Sequence, residues 1–213
     1  MSNFIGSVII QENDRSGDIL KGDCPVCGED MYLKNFTKYF TIFDKSIFRL
    51  ELIDTFYQCD ACQSSYNTSL KELVKLDDLK KELKFQDAGK LYAKALIAAT
   101  TFMAIVDGDL DKHEQRSLHA VIGKYSNIAD ELIETMDFVK NNGNKNDYVY
   151  ILLRKVRETL SAESLLSLLA ESVKMIMADG KMEKEELLLI NSFLLESGLP
   201  KSLYTILVDK IKA

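Results

Sequence analysis

All four cysteines of this 213-residue chain fall in two Cys-x-x-Cys pairs, CPVCG with Cys24 and Cys27 and CDACQ with Cys59 and Cys62. Two residues between thiols let a tight turn aim both sulfurs at one point. Two such turns facing each other make the tetrahedral thiolate cage of a structural zinc. The 31 residues between the pairs exceed the commonest spacing for such a site; a hairpin that returns the second pair to the first accommodates them. Four thiolates fill the coordination shell, so the pattern predicts a structural Zn2+, whereas a catalytic zinc keeps one position open. The rival readings are two disulfides or a redox pair. Disulfides belong to oxidising compartments, and the N-terminus MSNFIGSVIIQEND lacks the basic region, long apolar core and small-residue cleavage site of a secretion signal. A thioredoxin-like centre needs one pair inside a βαβ pattern, and no such pattern is seen.

A second group of residues could hold a different ion. FMAIVDGDLDKHEQ, from Phe102 to Gln115, places Asp107, Asp109, Asp111 and Glu114 directly after an apolar run. It has an echo 72 residues on, where MAIVDGDLDKHE aligns with MIMADGKMEKEE. Asp107 then matches Asp179, Gly108 matches Gly180, Asp111 matches Glu183 and Glu114 matches Glu186. The apolar flanks match too: Met103 with Met175, Leu118 with Ile190, Ile122 with Leu194. Helix punctuation explains part of this. Gly108 and Gly180 stand where a helix ends in the left-handed conformation. Asp111 with Glu114 fits a capping box, and acids in a first turn suit the helix dipole. Asp107, Asp179 and Asp109 remain; of these, Asp107 and Asp179 stand at a helix C-terminus, where an acid faces the negative end of the dipole. Two such loops brought together would offer Asp107, Asp111, Glu114, Asp179, Glu183 and Glu186 as hard oxygen ligands for Ca2+ or Mg2+. The spacing is not that of an EF-hand, which needs Gly at position six and Glu at position twelve.

The elements that must position these groups differ in period. Lys34–Phe43 and Arg49–Cys59 are rich in Thr, Ile, Phe and Tyr, alternate in part, and are separated by the polar Asp44–Ser46; they read as a hairpin delivering its ends to the cysteines. From Ser69 onward the apolar residues Leu70, Leu73, Val74, Leu76, Leu79 and Leu83 follow helical spacing. Apolar-periodic runs then cover Ala88–Val106, His113–Lys124, Ile128–Lys140, Asp147–Leu160, Glu163–Ala178, Lys184–Glu196 and Lys201–Ile211, punctuated at GKYSN, NNGNKN and SGLP. The expected fold is a small β zinc ribbon followed by an all-α bundle of roughly seven helices with an internal duplication. The expected organisation is a ribbon over 1–68, a connecting helix over 69–87 and a helical domain over 88–213.

Two family resemblances attach to these stretches. FIG near the start, CPVCG, YFTIF and a strand ending YQCDAC before Tyr66 resemble a bacterial zinc-ribbon family over about residues 3–70, with FDKSIF in place of that family's proline step. DGDLDKHE and ADGKMEKEE, each entering a helix, resemble the tellurite-resistance TerB family and the N-terminal domain of DjlA-type co-chaperones over about residues 88–212. That second resemblance implies a bundle with an acidic surface for divalent cations, carried by Asp107, Asp111, Glu114, Asp179, Glu183 and Glu186. Val106 stands where the family usually has Ala, and Asp109 is an extra acid.

The remaining residues narrow the function. Net charge is −6, with 6 Lys/Arg against 10 Asp/Glu in residues 1–70 and 21 against 23 beyond. A zinc held by four thiolates adds a local charge of about −2. No nucleic-acid partner is expected from that balance. No run approaches the roughly 18 apolar residues of a membrane span, so the expected compartment is the cytoplasm. The two histidines, His113 and His119, do not share the i, i+4 face of a metalloprotease helix. Met103, Met175, Met177 and Met182 read as core fillers. No nucleophile–base arrangement, phosphate loop or HExxH occurs, so the expectation is a non-catalytic metal-binding protein that works through protein partners. A divalent-metal enzyme and a co-chaperone accessory without a J-domain HPD motif are the rival classes.

Overall fold

A computed structural model describes residues 5–43, 45–76, 78–106, 110, 112–143, 145–176 and 184–212, with the backbone alone for 5, 78–81, 83, 176, 184–187 and 212. Among these residues a five-stranded antiparallel sheet is followed by eight α-helices. The chain divides into two compact units, residues 1–85 with 159–164, and residues 86–158 with 165–213.

The first unit is built on the hairpin of β3 (Met31–Ile42) and β4 (Lys45–Cys59). β1 (Ile5–Asn13) pairs along the far side of β3, and β2 (Ile19–Leu20) adds a short pairing at Tyr32 and Met31. β5 (Ser65–Asn67) pairs with Phe56–Gln58 at the end of β4. The second strand starts earlier than the sequence predicts: β4 begins at Lys45, so Lys45 and Ser46 lie in the strand and not in the separator. β4 does not alternate evenly. Register shifts leave Ile47, Leu50 and Ile53 without a partner on β3, and Lys45–Leu52 are exposed throughout. Repeated bulges of this kind disfavour pairing with a foreign strand, a need of any long sheet edge. The apolar centre lies at the opposite end of the hairpin. Leu20, Cys24, Met31, Tyr57, Cys59 and Leu70 are buried together, with Tyr66 and Phe85 against them, ring centroids 5.7 Å apart.

Two short structures close this unit. α1 (Leu70–Leu73) is a single turn that buries Leu70. Residues 159–164 seal β5: Tyr66 bridges Leu160, the Ser161 hydroxyl donates to Ser65 Oγ at 2.7 Å, and the Ser164 hydroxyl donates to the Ser65 carbonyl at 2.5 Å. The Ala162 N–H donates to Asp54 Oδ2 at 3.0 Å, and Ser161 Oγ accepts from the Ser164 N–H at 3.1 Å. Both satisfy first-turn donors that a helix leaves unpaired.

The helix α2, which begins before the second unit, corrects the sequence reading. The expected connecting helix and the first bundle helix are one element, Asp78–Ala104, preceded by a break after Leu73. Gly89 is exposed inside it without ending it, since a helical glycine costs only about 1 kcal/mol. Ala95–Ala104 is buried on every side, the mark of a central helix. α3 (Lys112–Lys124), α4 (Ala129–Asn141), α5 (Lys145–Thr159), α6 (Ala162–Ile176), α7 (Lys184–Glu196) and α8 (Tyr204–Lys212) follow. Phe193 of α7, fully buried, meets Phe102 of α2 at 5.9 Å and Tyr150 of α5 at 6.1 Å between ring centroids. Lys94 of α2 pairs with Glu131 of α4 at 2.5 Å. α7 ends as SGLP predicts: Gly198 takes φ +73°, and the Leu199 N–H returns to the Leu194 carbonyl at 2.9 Å, the Schellman pattern.

Candidate metal centre

The two cysteine pairs occupy two turns with one hydrogen-bond plan. In the first, the Gly28 N–H donates to the Cys24 carbonyl at 2.9 Å and the Cys24 N–H donates to the Glu29 carbonyl at 3.0 Å. In the second, the Gln63 N–H donates to the Cys59 carbonyl at 2.9 Å and the Cys59 N–H to the Ser64 carbonyl at 3.0 Å. Both turns need a left-handed residue four places after the first cysteine. Gly28 supplies it at φ +75° without cost, and Gln63 supplies it at φ +62°, where an L side chain is strained by roughly 1–2 kcal/mol. The Gln63 side chain donates to the Asp60 carbonyl at 2.8 Å, which braces the turn.

The turns bring the four sulfurs within 4.8 Å of one another. Cys24 Sγ lies 3.5 Å from Cys62 Sγ, and Cys27 Sγ lies 3.5 Å from Cys59 Sγ. A tetrahedron with metal–sulfur bonds of about 2.3 Å has edges of about 3.8 Å. A disulfide is about 2.05 Å, and all four cysteines are free. The residues therefore fit one metal ion and are compatible with zinc. Cys24 and Cys59 are buried, Cys62 is half-buried and Cys27 is exposed.

The surroundings favour thiolates unequally. Burial alone would raise the Cys24 thiol, but hydrogen bonds from Ser64, the Cys27 and Val26 N–H groups and Cys62 outweigh it and bring the thiol down to about 6. For Cys27 the Glu29 N–H favours the thiolate; desolvation and the sulfurs of Cys59, Cys24 and Cys62 overcome it and push that thiol up to about 12. Like charges cannot all ionise at such separations unless a cation sits among them. Tyr66 stands nearby, its hydroxyl raised to about 12 by burial and by Cys24 and Cys62. Behind the site the Tyr57 hydroxyl donates to Asp18 Oδ2 at 2.7 Å, and Lys71 Nζ donates to the same oxygen at 2.5 Å. Ser64 and this Tyr57–Asp18–Lys71 group carry no motif in the sequence.

The acidic residues are placed only in part. Asp107, Asp109, Asp111, Asp179 and Glu183, with Gly108 and Gly180, lie outside the described residues. Glu186 lies in α7 with its backbone alone described, and Glu114 sits half-buried in the first turn of α3. Leu110 is buried, and its carbonyl accepts from Gln115 Nε2 at 3.0 Å. Leu118, Ile122, Ile190 and Leu194 are all buried; Met103 is buried whereas Met175 is half-exposed. Met177 and Met182 lie outside the described residues, and His113 and His119 are exposed. Among the described residues no helix is long and apolar enough to cross a membrane.

Fold and thiol cluster together define a two-part protein, a β-sheet unit with a four-cysteine site leading into an all-helical domain. A family model described as Tellurite resistance protein TerB matches residues 93–199, half of the chain and most of that helical domain. The chain belongs to the TerB family. No curated protein and no solved structure matches it.

Proposed function

We propose that this is a non-catalytic metal-binding and protein-interaction protein of a bacterial stress response of the tellurite-resistance type, acting in the cytoplasm. Cys24, Cys27, Cys59 and Cys62 hold one structural Zn2+ in a zinc ribbon, and the ribbon and helical domain serve as sensing or docking surfaces for protein partners. The observation that carries this reading is the convergence of four free thiols from two matched turns at a spacing that suits a thiolate tetrahedron. When bound, the metal supplies a cross-link between the turns. The chain's own residues align the sulfurs, bury Cys24 and Cys59 and direct N–H groups at Cys24 and Cys27. Metal analysis of purified protein is expected to give about one zinc per chain; zinc absent from the wild type, or unchanged in Cys59→Ser, overturns the assignment.

The acidic loops form the second part of the proposal: Asp107, Asp111, Glu114, Asp179, Glu183 and Glu186 hold Ca2+ or Mg2+. Support comes from the repeated sequence and from α3 and α7, thirteen residues each, starting at 112 and 184 and so in step with the 72-residue offset. Amide shifts at Asp107, Gly108, Asp179 and Gly180 that stay still at about millimolar Ca2+ and Mg2+, a concentration at which weak oxygen-ligand sites fill, reduce these loops to helix punctuation. Metal-dependent turnover abolished by Asp107→Asn would instead establish an enzyme.

A further inference from the structure

Ser64 lies against the cysteine site without belonging to either pair. Its hydroxyl is 3.0 Å from Cys62 Sγ and 3.3 Å from Cys24 Sγ, one sulfur from each turn. Its carbonyl is held by the Cys59 N–H at 3.0 Å, which fixes the backbone behind the hydroxyl to the first residue of its own turn. The matching position in the first turn is Glu29, whose carbonyl makes the same backbone bond but whose side chain is exposed. The two turns thus share a frame and differ in one hydroxyl aimed at the sulfurs.

We propose that Ser64 is a positioning residue for the metal, donating its O–H to the Cys62 and Cys24 thiolates and so setting how tightly the four sulfurs hold an ion. This rests on the four-cysteine site binding a metal. Four thiolates around a divalent ion leave a net charge of about −2, and hydrogen bonds to the sulfurs spread that charge. One proton serves two sulfurs, with the shorter bond to Cys62. Because its acceptors come from different pairs, the hydroxyl also ties the second turn to the first. Outer partners of this kind govern both ligand orientation and affinity.

The test uses the full chain loaded with Co2+, whose thiolate-to-metal charge-transfer band reports electron density on sulfur, with Zn2+ affinity measured by competition against a chelator. Ser64→Thr and Ser64→Val have nearly the same shape and differ in the hydroxyl, so a purely steric role would affect them alike. Ser64→Val is expected to move the band to longer wavelength and weaken Zn2+ binding about tenfold to a hundredfold, while Ser64→Thr keeps both near the wild type. Ser64→Ala, which removes the hydroxyl without adding bulk, is expected to follow Ser64→Val. Thr and Val variants that match in band position and affinity overturn the role of the hydroxyl while leaving the metal site intact. A wild type that takes up neither Co2+ nor Zn2+ overturns the metal reading itself and this inference with it.

Discussion

The two cysteine turns are near copies in backbone and unequal in surroundings. Each closes with the same pair of hydrogen bonds and a left-handed residue in the same place. The second turn leaves β4 and enters β5, so ladder bonds hold both of its ends, and Cys59 is wholly buried. The first links β2 to β3 through a longer stretch and leaves Cys27 exposed. The proposed shared metal accounts for the common frame, because each turn then presents two sulfurs to one point. The sheet explains the difference. It buries Cys59 fully and Cys24 nearly so, and leaves Cys27, on the longer connection, at the surface.

The largest test of that contrast is removal of the proposed metal. Zinc in such sites binds with roughly 10–16 kcal/mol, comparable to or above a whole domain's stability of about 5–15 kcal/mol. A chelator is expected to abolish the amide dispersion of the strands while far-UV helical signal persists. Next come the ligands themselves. Cys59→Ser places a hydroxyl among Met31, Tyr57 and Leu70 and is expected to lose both zinc and the folded sheet. Cys27→Ser, at the exposed corner, is expected to retain the sheet with weakened zinc; equal losses in metal content and melting temperature would erase the distinction. Smaller effects come from the left-handed positions. Gly28→Ala is expected to destabilise by about 1 kcal/mol. Gln63→Gly is expected to change stability by less than about 0.5 kcal/mol, because relief of strain is offset by greater unfolded-chain entropy and loss of the bond to Asp60. Comparable in size is the effect of the pair joining the second turn to β3, Lys34 Nζ to Asp60 Oδ1 at 2.6 Å, with Asp60 largely exposed. Lys34→Met is expected to cost no more than about 1 kcal/mol, an effect that shrinks with salt.

What the sequence disclosed followed how local each cause is. Cys-x-x-Cys spacing carries its own geometry, so the cysteines and their hairpin could be read directly. The helical half was equally open to its period, and the family match covers residues 93–199 of it. The union of the connecting and first bundle helices was hidden because Gly89 and polar neighbours imitate a boundary, although burial of Ala95–Ala104 holds the helix together. The bulges at Ile47, Leu50 and Ile53 were hidden because a register shift is a property of two strands. Ser64 was hidden because a serine beside a cysteine means nothing until Cys24 is brought across from 40 residues away.

The segment 159–164 has a bearing on synthesis. The ribosome releases both cysteine pairs early, yet Ser65, Tyr66 and Asp54 wait for Leu160, Ser161, Ala162 and Ser164, partners up to 108 residues later in the chain. At roughly 5–20 residues per second, capture of the proposed metal precedes sealing of β5 by several seconds. A fragment ending near residue 87 would keep every thiol and lack this seal. Cutting at the apparent border between strands and helices therefore yields an unfinished sheet, and the four-cysteine unit is finished only by residues translated inside the helical stretch.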